Sequence, residues 1–231
     1  MSDPAMIITT QDDRVLTITL NRPDDLNPLS WQVLNEIADV LDNALHDESV
    51  GVIVIGAAGK AFSTGYDLRE AHWITSQYPA NFDDHVDIRK DRDDVHVIVD
   101  YWMKLWRYPK PIIAKVQGDC LSGAGELLGV CDIAIVSEHA RFGHPAGRDL
   151  GIPPSIMFWP MLIGYRKTKE LLYTARLISA REAQNIGLVT EVVAHDKLDE
   201  TVAIMAAHIA RAPSDNLSIL KEVSNTWFEN M

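Results

Sequence analysis

The chain has 231 residues, 47% of them apolar, and its 33 acidic against 21 basic side chains give a formal charge of −12. That length and apolar content support one large domain, or a domain with a small appendage, with a substantial core, and argue against a disordered chain. The acidic balance argues against general nucleic-acid binding, though not against a compact anionic ligand gripped by a few local Arg, Lys and backbone N–H groups. Cys120 and Cys131 are the only cysteines and are spaced as neither a zinc knuckle nor a redox pair, which points to a reducing, cytoplasmic setting. No signal-peptide pattern opens the chain and no apolar run is long enough to span a bilayer, so no membrane contact is expected.

In chain order, Leu16, Ile18 and Leu20 alternate behind a turn at Gln11–Asp13, predicting a β-hairpin. Ser30 caps an amphipathic helix whose apolar positions Val33, Leu34, Ile37, Val40, Leu41 and Leu45 recur at helical spacing. Val52–Ile55 reads as a buried parallel strand running into a functional loop, GAAGKAFSTGYDL. The acidic stretch Asn81–Asp94 reads as solvated, and Val95, Ile98, Trp102, Leu105 and Trp106 share one face of the helix after it.

Lys110–Pro154 is the richest part of the chain. A β-branched strand, Pro111–Val116, leads through glycines between Gly118 and Gly125 into a helix that begins near Gly123 and carries Glu126 in its first turn. A second strand, Asp132–Ser137, and a loop follow. An acid at the open end of a helix, beside glycines that bare backbone N–H groups, suits acid/base chemistry. Further on, Lys167–Leu177 is helical, Ser179 with Glu182 forms a capping box, Gly187 ends that helix and LVTEVV is a strand. Two final helices cover Leu198–Arg211 and Ser214–Asn230, the second capped by Ser214. Strands alternating with helices predict an α/β fold, with a core over 1–197 and a helical region over 198–231.

Several features read as structural. GAGELLG lacks the glycine spacing of a dinucleotide loop, the histidines lack metal-ligand spacing, Cys120 reads as a small buried residue, and Trp102, Trp106 and Trp159 read as core or pocket wall.

Two of the stretches together resemble the crotonase (enoyl-CoA hydratase/isomerase) superfamily: GKAFSTGYDLRE, Gly59–Glu70, and KPIIAKVQGDCLSGAGELLGVCDIAIVSEHARFGHP, Lys110–Pro145. A weaker third match is TARLISAREAQNIGLVTEVV, Thr174–Val193. The resemblance spans roughly Val15 to Val193 in the right order. It implies a crotonase-like spiral of ββα units with a C-terminal helical region, a coenzyme A thioester as substrate with no prosthetic group and no metal, and a homotrimer or dimer of trimers. It also implies that the backbone N–H groups of Tyr66 and Gly123 hold the thioester oxygen and stabilise an enolate, with Glu126 as acid/base. For Tyr66 only the N–H is implicated, its ring being available to line the acyl pocket.

Hydratases of this family place a second glutamate after the FG-x-P segment. Here FGHP continues Ala146, Gly147, Arg148, Asp149, with one added residue before Leu150–Gly151. Asp149 is the nearest acid and His144 the nearest other titratable group; each has an ordinary reading as well, a solvated loop acid and a packing histidine. Asp67 reads as a pin for its loop. The resemblance puts the nucleotide along the backbone of Leu26, Ala61, Thr64 and Leu68, with Arg22 and Lys60 as phosphate partners or simply exposed charges. The expected activity is hydration of a 2-enoyl-CoA. Enoyl-CoA isomerisation, carbon–carbon hydrolysis and non-catalytic acyl-CoA binding stand as alternatives. Proteins of this kind usually continue through further helices where this sequence stops at Met231, which fits truncation or a shortened pocket wall.

Overall fold

The computed structural model describes residues 5–69 and 88–229. The chain opens with the predicted hairpin: β1 (Ile7–Asp12) pairs antiparallel with β2 (Val15–Leu20), and Asp13, at φ 47°, makes the turn. Helix α1 (Trp31–Leu45) is capped by Ser30, whose Oγ accepts the Val33 N–H at 3.2 Å. There follow β3 (Val52–Ala57), α2 (Ile88–Trp106), β4 (Ile112–Val116), β5 (Asp119–Leu121), α3 (Gly123–Val130), β6 (Ile133–Ser137), β7 (Arg141–Gly143) and a one-turn helix α4 (Pro145–Asp149). The chain continues with α5 (Trp159–Ile163), α6 (Tyr165–Thr174), β8 (Ile178–Ser179), α7 (Ala180–Asn185), β9 (Glu191–Val193), α8 (Leu198–Ala210) and α9 (Ser214–Glu229).

The strands divide between two sheets. The larger has the order β1-β2-β3-β4-β6-β9 and is parallel from β2 onward; the smaller has the order β5-β7-β8. Successive strands therefore alternate: β4 lies in the large sheet and β5 in the small one, then β6 in the large and β7 in the small, with a helix closing each turn. This is the spiral of ββα units expected from the sequence motifs.

The central strands of the large sheet, β3, β4 and β6, are largely apolar on both faces because both faces are covered. Val52, Val54, Ile113 and Ile135 point one way, against Leu198, Val202, Ala206 and Ala210 of α8. Ile53, Ile55, Ile112, Ala114 and Val116 point the other way, into the main core with Leu34, Ile37 and Leu41 of α1 and Ile98, Trp102 and Leu105 of α2. Each large aliphatic side chain among them contributes about 1.5–3 kcal/mol by leaving water. The C-terminal helix α9 is tied to this body by a buried pair, Lys221 Nζ donating to the Asp132 carboxylate at 2.8 Å.

Four sequence expectations need correction. Helix α2 begins at Ile88, earlier than expected and inside the acidic stretch, of which 81–87 lies outside the described residues, while Arg92 and Asp93 are exposed to solvent as expected. Val95 stays 49% exposed, since the buried stripe of α2 starts at Ile98. The residues after FGHP are helical rather than a loop, because Pro145 sits at the first helical position with its φ already suited to a helix. Ser214 is the first residue of α9 rather than its cap, and its Oγ accepts from the Arg14 guanidinium at 2.8 Å. Among the described residues no helix is long and apolar enough to cross a membrane.

Candidate active site

The two sequence motifs meet through backbone pairing. Ser63 inserts beside β5, donating its N–H to Asp119 O and accepting the Leu121 N–H, both at 3.0 Å. Three residues on, the loop pairs on its other side with Leu29, which donates to Gly65 O at 2.8 Å and accepts the Asp67 N–H at 2.9 Å. In a parallel bridge of this kind the partner bonds the residues flanking Tyr66, so the N–H of Tyr66 itself faces away from Leu29, while the loop packs closely against the start of α3.

That approach requires glycine at two positions. Gly65 has φ +98°, and a Cβ there would lie 2.9 Å from the Gly123 nitrogen; a Cβ on Gly123 would lie 2.7 Å from the Tyr66 ring. Gly123 opens α3, where the first N–H groups have no acceptor within the helix and carry its positive end. The preceding Ser122 is held at φ 51°, ψ −124°, a sparsely populated backbone state, with its N–H anchored on Gly143 O at 2.9 Å.

One turn into α3, Glu126 is 3% exposed. Its Oε2 accepts the Tyr66 hydroxyl at 2.8 Å, the Ser155 hydroxyl through a short contact, and the Ile156 N–H at 3.3 Å. Its Oε1 accepts the Ser155 N–H at 3.4 Å. Burial pushes the carboxyl up to about 7 against the pull of these donors, so near neutral pH it can both take and give a proton. The Tyr66 hydroxyl is itself raised by burial and by the neighbouring Glu126 charge, and the Trp102 Nε1–H donates to it at 2.8 Å. Tyr66, Glu126, Ser155 and Trp102 thus form one polar group at the mouth of α3, with Glu126 and Trp102 buried and Tyr66 and Ser155 half-buried.

Of the sequence-predicted residues, Tyr66, Gly123 and Glu126 come together. Leu26 and Thr64 also meet, Thr64 donating its N–H to Leu26 O at 3.2 Å, and Ala61 O accepts from Asn27 and Gln117 beside them. Lys60 and Leu68 are exposed on the same loop. Arg22, expected at phosphate, is already engaged: its guanidinium donates to Asp67 and Asp25, each at 2.9 Å. Asp67 also receives Arg69, and those guanidinium hydrogen bonds hold its carboxyl down to about 2, so it pins the loop as expected.

Asp149 and His144 do not reach Glu126. Asp149 ends α4 with its side chain 48% exposed and paired to Arg148. His144 is buried and its Nε2 donates to the Ile152 carbonyl at 3.1 Å, while burial lowers its basicity. Cys120 is fully enclosed, its thiol raised by burial and turned to Ala124 O, as a packing residue.

Sequence reasoning missed Ser155 and treated Trp102 as wall or core. Trp102 is indeed buried, and a buried indole N–H needs an acceptor, which was the available signal. Ser155 offered no such signal, because its partner is 29 residues away. Among the described residues no His, Cys, Asp or Glu cluster could hold a metal ion.

A buried acid of raised pKa beside backbone donors at a helix mouth, set in a ββα spiral, defines a class of enzyme that manages a proton next to a carbonyl oxygen. The comparisons give the class its family. The enoyl-CoA hydratase/isomerase family model matches residues 10–231. A probable enoyl-CoA hydratase of Mycobacterium bovis is 33% identical over 229 residues, covering 97% of this chain and 82% of that protein. Among solved structures, an enoyl-CoA hydratase/isomerase from Xanthobacter autotrophicus Py2 superposes with TM-score 0.87 at 33% identity, covering 97% of this chain and 80% of that one. An enoyl-CoA hydratase from Mycobacterium smegmatis does so with TM-score 0.88 at 27% identity, covering 97% and 78%. The chain belongs to the enoyl-CoA hydratase/isomerase family, the crotonase superfamily its motifs resemble.

Proposed function

We propose that this protein adds water across the double bond of a 2-enoyl-CoA thioester. The observation that carries the reading is the buried Glu126, with its carboxyl near 7, one turn from the Gly123 N–H at the mouth of α3. The N–H groups of Tyr66 and Gly123 hold the thioester oxygen and stabilise the negative charge that develops on it. Glu126 takes a proton from water as the water oxygen bonds to C3, and the resulting enolate collects that proton at C2, so H and OH both come from one water. The family names of the relatives support the reaction and the thioester substrate, and no prosthetic group enters it.

The nucleotide would lie along the loop backbone at Leu26, Ala61, Thr64 and Leu68, with exposed Lys60 as the phosphate partner. Arg22, bound to Asp67 and Asp25, supports the loop instead. A homotrimer or dimer of trimers in the cytoplasm completes the proposal.

The test is hydration of crotonyl-CoA by the purified protein, followed as loss of the conjugated thioester absorbance, alongside Glu126→Gln. Undiminished turnover in the variant would remove Glu126 from the mechanism. A second reading, isomerisation of a 3-enoyl-CoA, is favoured by the hydroxyls that face Glu126, which among the described residues has no second carboxylate as a hydrogen-bond partner. One carboxyl can carry a proton from C2 to C4. Turnover of 3-enoyl-CoA without hydration of crotonyl-CoA would select it.

A further inference from the structure

We propose that Tyr66 and Ser155 are positioning residues whose hydroxyls hold Oε2 of Glu126 and leave Oε1 as the oxygen that exchanges the proton with water and substrate. The proposal rests on Glu126 being the acid/base of the hydration reading and adds which atom of it reacts and what fixes that choice.

The hydrogen inventory sets the direction of each bond. An indole N–H can only donate, so Trp102 makes the Tyr66 oxygen an acceptor at 2.8 Å. Tyr66 has a single hydroxyl hydrogen and two acceptors in reach, Oε2 at 2.8 Å and Ser155 Oγ at 3.0 Å; the nearer, charged oxygen makes the stronger bond, so that hydrogen goes to Oε2. Ser155 directs its hydroxyl hydrogen to the same oxygen, and Ile156 adds its N–H at 3.3 Å. Oε2 therefore has three donors. Among the described residues Oε1 has the Ser155 N–H, at 3.4 Å and near the limit of a hydrogen bond.

Each donor stabilises negative charge on the oxygen it reaches, so the two oxygens of one carboxylate differ in basicity and Oε1, with the weaker hydrogen bonding, takes the proton. The donors come from three directions: Tyr66 from the Gly65–Asp67 loop, Trp102 behind it from α2, and Ser155 with Ile156 from the segment before α5. They clamp the side chain in one rotamer. Of the groups that reach the carboxyl from these elements, Tyr66 is the titratable one; the others are a neutral hydroxyl and two backbone N–H groups. The hydroxyl pair thereby orients one acid through neutral donors.

The test uses the full chain labelled with carboxyl-¹³C glutamate. The Glu126 resonance, assigned by its absence in Glu126→Gln, is titrated in the wild type, Tyr66→Phe, Ser155→Ala and Ser155→Thr. The Tyr66→Phe change keeps the ring on Gly123 and removes only the donor. Loss of one donor raises the titration midpoint of the carboxyl by about 1 in Tyr66→Phe and in Ser155→Ala, while Ser155→Thr, which retains the hydroxyl, stays at the wild-type value. The acid limb of kcat/KM for crotonyl-CoA moves up with it. At pH 7 kcat falls about fivefold with KM within about twofold, following the smaller ionised fraction. A Glu126 titration unmoved in both Tyr66→Phe and Ser155→Ala overturns the clamp, as does a loss of kcat with the acid limb left in place, the signature of a packing defect. The titration needs no turnover. A wild-type protein inert toward crotonyl-CoA would sink the hydratase reading and still leave the shift of the carboxyl to decide this one.

Discussion

Glu126 and Asp149 are both acids from the same long motif, and the fold treats them oppositely. Glu126 sits in the first turn of a buried helix among neutral donors, where desolvation outweighs hydrogen bonding and lifts its carboxyl to about 7. Asp149 sits at the last position of a one-turn surface helix, with Arg148 for company and solvent around it. A carboxylate in water is a poor proton donor at neutral pH whatever its place in a motif. Burial without a compensating cation is what makes one useful, and of these two only Glu126 has it.

The comparison breaks if both acids, or neither, control turnover. Glu126→Gln should lower crotonyl-CoA hydration by on the order of a thousandfold, measured as kcat at pH 7. A drop of less than about tenfold would move the chemistry elsewhere.

The same burial has a thermodynamic signature. A carboxyl at about 7 in the folded state and near 4.5 in the unfolded chain is neutral when folded and ionised when unfolded between those values, so the wild type loses stability as pH rises through that window. The loss is about 3 kcal/mol and is complete above about pH 8. Glu126→Gln lacks this component. Urea midpoints should therefore show the variant gaining on the wild type from about pH 4 to about pH 8, and parallel pH profiles would contradict the buried, uncompensated carboxyl.

Gly123→Ala sharpens the contrast from the donor side. The added Cβ lies 2.7 Å from the Tyr66 ring, so ring and helix mouth must part. About a hundredfold loss of kcat is expected, comparable to loss of one oxyanion donor. Near-normal kcat would show that the thioester oxygen is held elsewhere. The smallest effect belongs to Asp149→Asn: less than about twofold in kcat, and a change in stability within about 0.5 kcal/mol by urea unfolding, since its ion pair is exposed.

How much of this was legible beforehand follows from how local each cause is. The hairpin, the Ser30 and Ser179 caps and the two-sided strands were readable, because each depends on residues a few positions apart; of the capping box only the Ser179 half forms, since Arg176 takes the Glu182 carboxylate. Glu126, Gly123 and Tyr66 were found through motif order. The reach of the Tyr66 hydroxyl was not, since it depends on where Trp102 and Ser155 arrive from other parts of the chain. Ser214 looked like a cap until Arg14, distant in sequence, drew its hydroxyl away. The helix after FGHP was hidden by Gly147, a poor helix former, although Pro145 announced its start.

Ser122 carries one more consequence. A non-glycine residue held at φ 51° and ψ −124° costs roughly 1–3 kcal/mol, and its hydrogen bond to β7 helps keep it there. That energy is already invested before any ligand arrives, so in the proposed reaction the Gly123 N–H would not have to be reoriented when a thioester binds. The turn acts as a spring set during folding: rigid in the resting enzyme, it converts folding energy into a ready-made direction for one hydrogen bond.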